Sequence, residues 1–260
     1  MPSTLVFVGI DVACAKRKRL PICFAAYEGN RLEPLLIPLE LAEKFPVGRG
    51  NVEIAQDAPF RREAAALTDA LNHVCTAQGW SIMRIAIDAP AAPPATGIRA
   101  SEQALRDSGL SSFQTPNVEG WNRLRQDCRK HLRVEGPLNR LPHANKIWML
   151  YGFEIFKALR AGCTGELIEV YPYAIVHALL RECPHKSTPE GYRRQVEALA
   201  NETGWNWNDL EYALGRAVPG TKHDKLDAFM AAWIASLAPQ SRRAYGNEKN
   251  PDDAIWVPRN

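Results

Sequence analysis

Leu5-Val6-Phe7-Val8-Gly9-Ile10-Asp11 is the stretch that decides how this chain folds. The run is apolar almost without interruption and rich in strand-forming residues, so it suits a central strand buried on both faces rather than a half-exposed one. It stops on an acid. A second run of the same kind, Ile82 to Ile87, ends at Asp88-Ala89-Pro90, and a shorter one, Leu167 to Val170, closes on Glu169-Val170-Tyr171-Pro172. Three apolar strands therefore carry an acid at corresponding ends, where ligands bind in open α/β folds.

The remaining elements fall into place around these runs. Leu20 to Tyr27 reads as a second strand, Glu28-Gly29-Asn30 as a turn, and Leu32 to Leu39 as a third strand. Pro34 and Pro38 cannot donate to a ladder and put that third strand at an edge. The first three strands form an antiparallel meander. The segment Val47-Gly48-Arg49-Gly50-Asn51 is a loop; it lacks the third glycine and the preceding strand of a dinucleotide fingerprint. Pro59 to Ala77 has helical spacing in Ala64, Leu67, Leu71 and Val74.

Beyond Pro93-Pro94 the chain is mainly helical, over Ser101–Ser108, Val118–Arg133 and Asn145–Ala161. After the Leu167 strand, helices are expected at Tyr173–Arg181, Pro189–Thr203 (capped by Thr188, with proline in the first turn), Asn208–Arg216 and Asp224–Leu237. Ala254 to Val257 reads as a small returning strand. The order predicts one α/β domain over 1–260, with a mixed sheet, helices on both faces, and a helical insert at about 99–163 between the fourth and fifth strands.

An apolar fraction of 46% and a charged fraction of 23% describe an ordinary globular chain. No window approaches the ~20 apolar residues of a membrane span. The start has no basic leader, so a secretory signal is not expected. Six cysteines, Cys14, Cys23, Cys75, Cys128, Cys163 and Cys183, form no C-x-x-C pair and read as reduced thiols of a cytoplasmic protein. The net charge of +3 is too small to announce a polyanionic partner. Its distribution says more: Lys16 to Arg19 is one basic run, and Arg123, Arg125, Arg129, Lys130, His131 and Arg133 form another around a single acid, Asp127. Each can neutralise phosphates or be a solvated face.

A fourth acidic element is His223-Asp224-Lys225-Leu226-Asp227-Ala228. Asp224 and Asp227 lie three apart, on one face of a helix, near an N-terminus that favours negative charge. Helix capping is one sufficient reading of Asp224, the other being a partner or substitute of Asp227. Asp227, inside the first turn beside the core stripe, is not explained by capping, and is the stronger functional candidate. For Asp88 the structural alternative is an Asx turn before Pro90; for Glu169 it is a hydrogen bond to a neighbouring loop.

G-I-D at Gly9–Asp11, I-D-A-P at Ile87–Pro90, E-V-Y-P at Glu169–Pro172 and D-x-x-D-A at Asp224–Ala228, in that order, resemble the domain-of-unknown-function-429 family. Ile255-Trp256-Val257-Pro258 suits it too. Members of that family are described as predicted ribonuclease H-like nucleases. The resemblance implies a ribonuclease H-like, five-stranded mixed sheet in the order 3-2-1-4-5. Asp11, Asp88 and Asp227 would then be the metal-binding triad, with Asp224 and Glu169 beside them. The wider superfamily often has glutamate on strand four, where this chain has the shorter Asp88.

The expected activity is phosphodiester cleavage in DNA or RNA with Mg²⁺ or Mn²⁺, cations that prefer oxygen ligands. Two such ions, about 3.5–4 Å apart, would activate a water and stabilise the leaving oxygen, with Asp11 as the bridging ligand. Arg99 could meet a phosphate, and Arg125 and Arg129 could grip a nucleic-acid backbone. Trp121, Trp148, Trp205 and Trp207 could stack on bases or pack in the core. Tyr171 and Tyr173 read as packing. Two other classes remain open: an actin-like or sugar-kinase-type phosphotransferase or ATPase, and a non-catalytic nucleic-acid-binding module. The first needs glycine-rich phosphate loops, whereas Asp11 is followed by Val12-Ala13-Cys14.

Overall fold

The computed structural model describes residues 3–13, 17–48, 50 and 57–259. Cys14, Lys16 of the first basic run, Arg49 and Asn51 of the glycine loop, and the first two residues, Met1 and Pro2, lie outside the described residues. The strands are β1 (Thr4–Asp11), β2 (Ile22–Glu28), β3 (Arg31–Pro34), β4 (Trp80–Asp88), β5 (Glu166–Val170), β6 (Arg242–Gly246) and β7 (Ala254–Pro258). The helices are α1 (Leu39–Ala42), α2 (Asp57–Gln78), α3 (Ala100–Asp107), α4 (Val118–Arg133), α5 (Ile147–Gly162), α6 (Pro172–Leu179), α7 (Pro189–Thr203), α8 (Trp207–Ala217) and α9 (Lys222–Ser236). The stretch between β4 and β5 is the expected helical insert, made of α3, α4 and α5. No helix of the described residues is long and apolar enough to cross a membrane.

Among the described residues the strands form one mixed sheet of seven, in the order β3-β2-β1-β4-β5-β7-β6. The expected five-strand order 3-2-1-4-5 stands inside it, but the sheet does not stop at β5. β7 runs parallel to β5, and β6 closes the far edge antiparallel to β7. β6 reads as polar tail because it opens on Arg242-Arg243. Its arginine heads are nonetheless absorbed: Arg242 lies over the Trp256 ring at 4.4 Å and pairs with Glu166. The third strand is also shorter than its sequence suggests. It ends at Pro34, and Leu39 to Ala42 turns into α1 instead. β3 does sit at an edge, as its prolines require.

Alternation along the central strands feeds two separate cores. Val6, Val8 and Ile10 of β1, with Ile85 and Ile87 of β4, pack with α2, α4 and α5. Phe7 of β1, Ala86 of β4 and Ile168 of β5 pack on the opposite side with α6, α7 and α9. Helices thus cover both faces. The closest approach is at Gly9, where an added Cβ would stand 2.0 Å from the Ala228 carbonyl oxygen and 2.3 Å from the Ala232 nitrogen. Only glycine on β1, facing the alanines of α9, lets helix and strand backbones meet this closely.

Candidate active site

Strand register assembles the first half of the site. β1 and β4 are parallel, and Asp11 pairs with Asp88 at their C-terminal ends. Side chains alternate along a strand, so Asp11 shares the face of Phe7 and Gly9, and Asp88 that of Ala86. That is the face covered by α9. The seating of α9 on Gly9 then brings its first turns to the same strand ends. Asp227, only 5% exposed, enters the site from there.

Asp224 has a different local task. It forms a capping box with Thr221: the Thr221 backbone N–H donates to Asp224 Oδ2 at 2.9 Å, and the Asp224 N–H donates to Thr221 Oγ1 at 3.4 Å. Its charge still bears on Asp11 and Asp227.

The cation of the site is one that the sequence did not advertise. Lys186, in the loop between α6 and α7, donates from Nζ to Asp227 Oδ2. Asp227 Oδ1 is buried with no hydrogen-bond partner among the described residues. Burial pushes Asp11 up to about 8, with Asp227 and Asp224 adding to the rise and Lys186 opposing it. Burial, Asp11 and Asp227 likewise hold Asp88 well above the ordinary carboxylate range. Asp227 is raised as well, since burial outweighs its pairing with Lys186. Burial works against the Lys186 ammonium, but Asp227, Asp88 and Asp11 together raise its pKa. The buried Asp227 and the half-buried Asp11 and Asp88 thus face one ammonium.

Glu169 lies on the other face of the sheet, for a reason of parity, although its charge reaches Asp88 and the two line one small cavity with Arg99. It pairs in register with Ile87, not Asp88, and so shares the opposite face of the sheet. There it accepts from Arg99 Nη1 at 2.7 Å and Nη2 at 2.6 Å, and from the Ala91 N–H at 3.0 Å. Arg99 is 3% exposed and also donates to the Asp252 carbonyl oxygen at 2.9 Å. Asp253 accepts from the Ala100 and Ser101 N–H groups that open α3. Arg99 is thus an interior clamp between β5, α3 and the segment before β7, committed to protein partners rather than offered to a phosphate.

Arg125 and Arg129 stand on α4, which packs by Trp121, Leu124 and Cys128 into the core opposite α9. Arg125 lines a separate cleft of about 130 Å³ with Phe60, Pro93 and Lys157. The structure does not bring these arginines to the carboxylates. Trp121 is buried edge-on to Phe153, and Trp205 donates to the Leu32 carbonyl oxygen at 2.7 Å, so both are structural. The cleft that does open on the acids has a volume of about 270 Å³ and is lined by Asp88, Asp227, Lys186, Phe113, Tyr173 and His177. Tyr173 and Phe113 are exposed there. The five described cysteines are free.

A family model described as "Protein of unknown function (DUF429)" matches residues 9–251. The chain belongs to that family. The matched span of this DUF429 protein takes in Asp11, Asp88, Lys186 and Asp227, and stops short of β7. No curated protein and no solved structure matches the chain. The family's description carries no activity, so the reaction has to be argued from the cleft.

Hard carboxylate oxygens, an unpartnered Asp227 Oδ1 and too few positive charges suit this donor set to a divalent cation. Among the described residues, however, no three acids, histidines or cysteines are already grouped as a metal ion would need. The chemistry fits, and the Lys186 ammonium stands among the ligands. Lys186 had no signal in the sequence: it sits in Pro184-His185-Lys186-Ser187, a loop with no periodicity, 41 residues from its partner.

Proposed function

We propose that this protein is a divalent-metal-dependent hydrolase of phosphodiester bonds, with nucleic acid as its substrate. The observation that carries this reading is the register pairing of Asp11 with Asp88 beneath Asp227. Asp11, Asp88 and Asp227 would hold Mg²⁺ or Mn²⁺, which, when bound, polarises a phosphoryl oxygen and acidifies a water. The chain's own residues do the rest. Asp11 and Asp88 at the ends of β1 and β4 and Asp227 on α9 are the residues that would hold the cation, and the β1–α9 contact sets their spacing. Lys186 offsets part of their charge, without which a polyanion would be repelled from the cleft. Exposed Tyr173 and Phe113 offer faces on which a base can stack beside the acids.

The test is incubation with DNA, RNA and hybrid substrates in Mn²⁺ or Mg²⁺, beside the variant Asp11→Asn. Cleavage should fall by at least about a hundredfold in the variant, because even partners one shell out from a metal are worth ~10–100-fold. Undiminished cleavage by Asp11→Asn would sink the proposed site. Nucleotide hydrolysis without polynucleotide cleavage would move the protein to the phosphotransferase or ATPase class.

A further inference from the structure

We propose that Lys186 stands in for one of two metal ions, so that the carboxylate cluster binds a single divalent cation. This rests on the metal-dependent reading above and narrows the two-ion expectation taken from the sequence.

Charge is the first argument. Asp11, Asp88 and Asp227 meet one ammonium, which leaves a deficit of two positive charges. One divalent ion fills that deficit; two would leave the cluster positive by two. Asp224 keeps its negative charge beside the cluster, but its Oδ2 accepts the Thr221 N–H at the helix cap, so it counts as a charged neighbour and not among the ligands.

Position is the second. Lys186 Nζ is on Asp227 Oδ2, while Oδ1 of the same carboxylate is buried and unpartnered among the described residues. One oxygen has its cation and the other lacks one. The Asp227 side chain is 7% exposed and that of Lys186 34%, so the ammonium lies between the buried acid and the cleft. A second ion bridging Asp227 to substrate would have to take this place.

Fixity is the third argument. The loop carrying Lys186 is clamped onto α7: Thr188 caps that helix through Gly191, and the Thr188 N–H donates to the His185 carbonyl oxygen at 2.9 Å. Gly191 sits so close that a Cβ there would meet the His185 and Pro184 carbonyl oxygens at 2.3 Å. Lys186 is therefore held at the acids by a built loop and does not swing on a long surface arm. An ammonium in that position supplies fixed positive charge beside the phosphate, and no second ion has to be recruited.

The measurement is metal stoichiometry, independent of activity: Mn²⁺ titration of the whole chain, followed by calorimetry and by paramagnetic resonance of the free ion. The wild-type chain should bind one Mn²⁺, and Lys186→Arg should do the same. Lys186→Glu turns the deficit of two into one of four and should bind two. Lys186→Gln, which removes charge with little change of shape, should bind its first ion at least tenfold more tightly and covers the case in which the glutamate variant misfolds. Two ions in the wild-type chain, a single ion in folded Lys186→Glu, or unchanged affinity in Lys186→Gln would each overturn this inference and leave the metal-dependent reading standing. No ion in the wild-type chain would overturn both.

Discussion

Replacing Gly9 by alanine tests the joint on which the site depends. The added Cβ would lie 2.0 Å from the Ala228 carbonyl oxygen and 2.3 Å from the Ala232 nitrogen, where ordinary contacts begin near 3.4 Å. Both atoms are helix backbone and cannot rotate away. α9 must retreat by roughly 1 Å or more, in an interior packed as densely as an organic crystal. Overpacking of this kind costs about 1–3 kcal/mol, and a backbone clash belongs at the upper end. At ~2–4 °C per kcal/mol for a chain of this size, Tm should fall by about 6–12 °C. The same retreat carries Asp227 away from Asp11, and a 1 Å misplacement is worth ~10²-fold in catalysis. Thermal unfolding and Mn²⁺ titration of Gly9→Ala provide the assay. Gly215→Ala, on α8 with open space around the new methyl, is the control and should be neutral or slightly stabilising. A Gly9→Ala protein that melts within 2 °C of the wild type, roughly the effect of 1 kcal/mol or less, with unchanged Mn²⁺ affinity, would show that the β1–α9 contact does not hold the site.

Three further outcomes are expected. Arg99→Met leaves Glu169 buried without its bidentate partner and should destabilise the protein by ~3–5 kcal/mol in urea denaturation, whereas the double change Arg99→Met with Glu169→Met should recover most of that loss. Asp11 has a folded-state pKa raised to about 8 from 3.8, so its contribution is fully present below about pH 4 and is lost as pH rises towards 8; in EDTA, Tm should drop across that window, less steeply in Asp11→Asn, and Mn²⁺ should raise Tm more at pH 8 than at pH 5. Asp224→Asn should weaken the capping box by about 1 kcal/mol or less in denaturant titration and spare cleavage, while Asp227→Asn should abolish cleavage in the same assay that leaves the first active.

Local signals in the sequence were the ones that survived folding. α4 and α7 occupy the residues their spacing predicts, because Asn117 and Thr188 cap them with side chains readable in place. Asp11 and Asp88 could be found because each ends an apolar run, and the strand end is a local property. Glu169 ends a similar run, but its face depends on the β4–β5 register, which pairs it with Ile87. Register is set between strands and leaves no mark within one. Arg99 looked like a phosphate ligand because its partners Glu169 and Asp253 are far along the chain. β6 was hidden for a related reason: its arginines find an aromatic ring and an acid only once β5 and β7 are alongside. The nuclease reading of the site depends on the same long-range convergence, which is why a lysine in an unpatterned loop escaped notice.

The clamp around Arg99 has a consequence for the order of assembly. α3 emerges early in synthesis, yet its first N–H groups are satisfied by Asp253, more than 150 residues later. Until β7 arrives, β5 is a sheet edge with unpaired backbone groups, open to wrong partners. Such distant pairings make closure of the sheet a late and slow event. The carboxylates at the ends of β1 and β4 would therefore gain a settled framework only as the final strand docks. Truncating the chain before residue 242 should yield a protein prone to aggregate, because its last strand is left half-zipped.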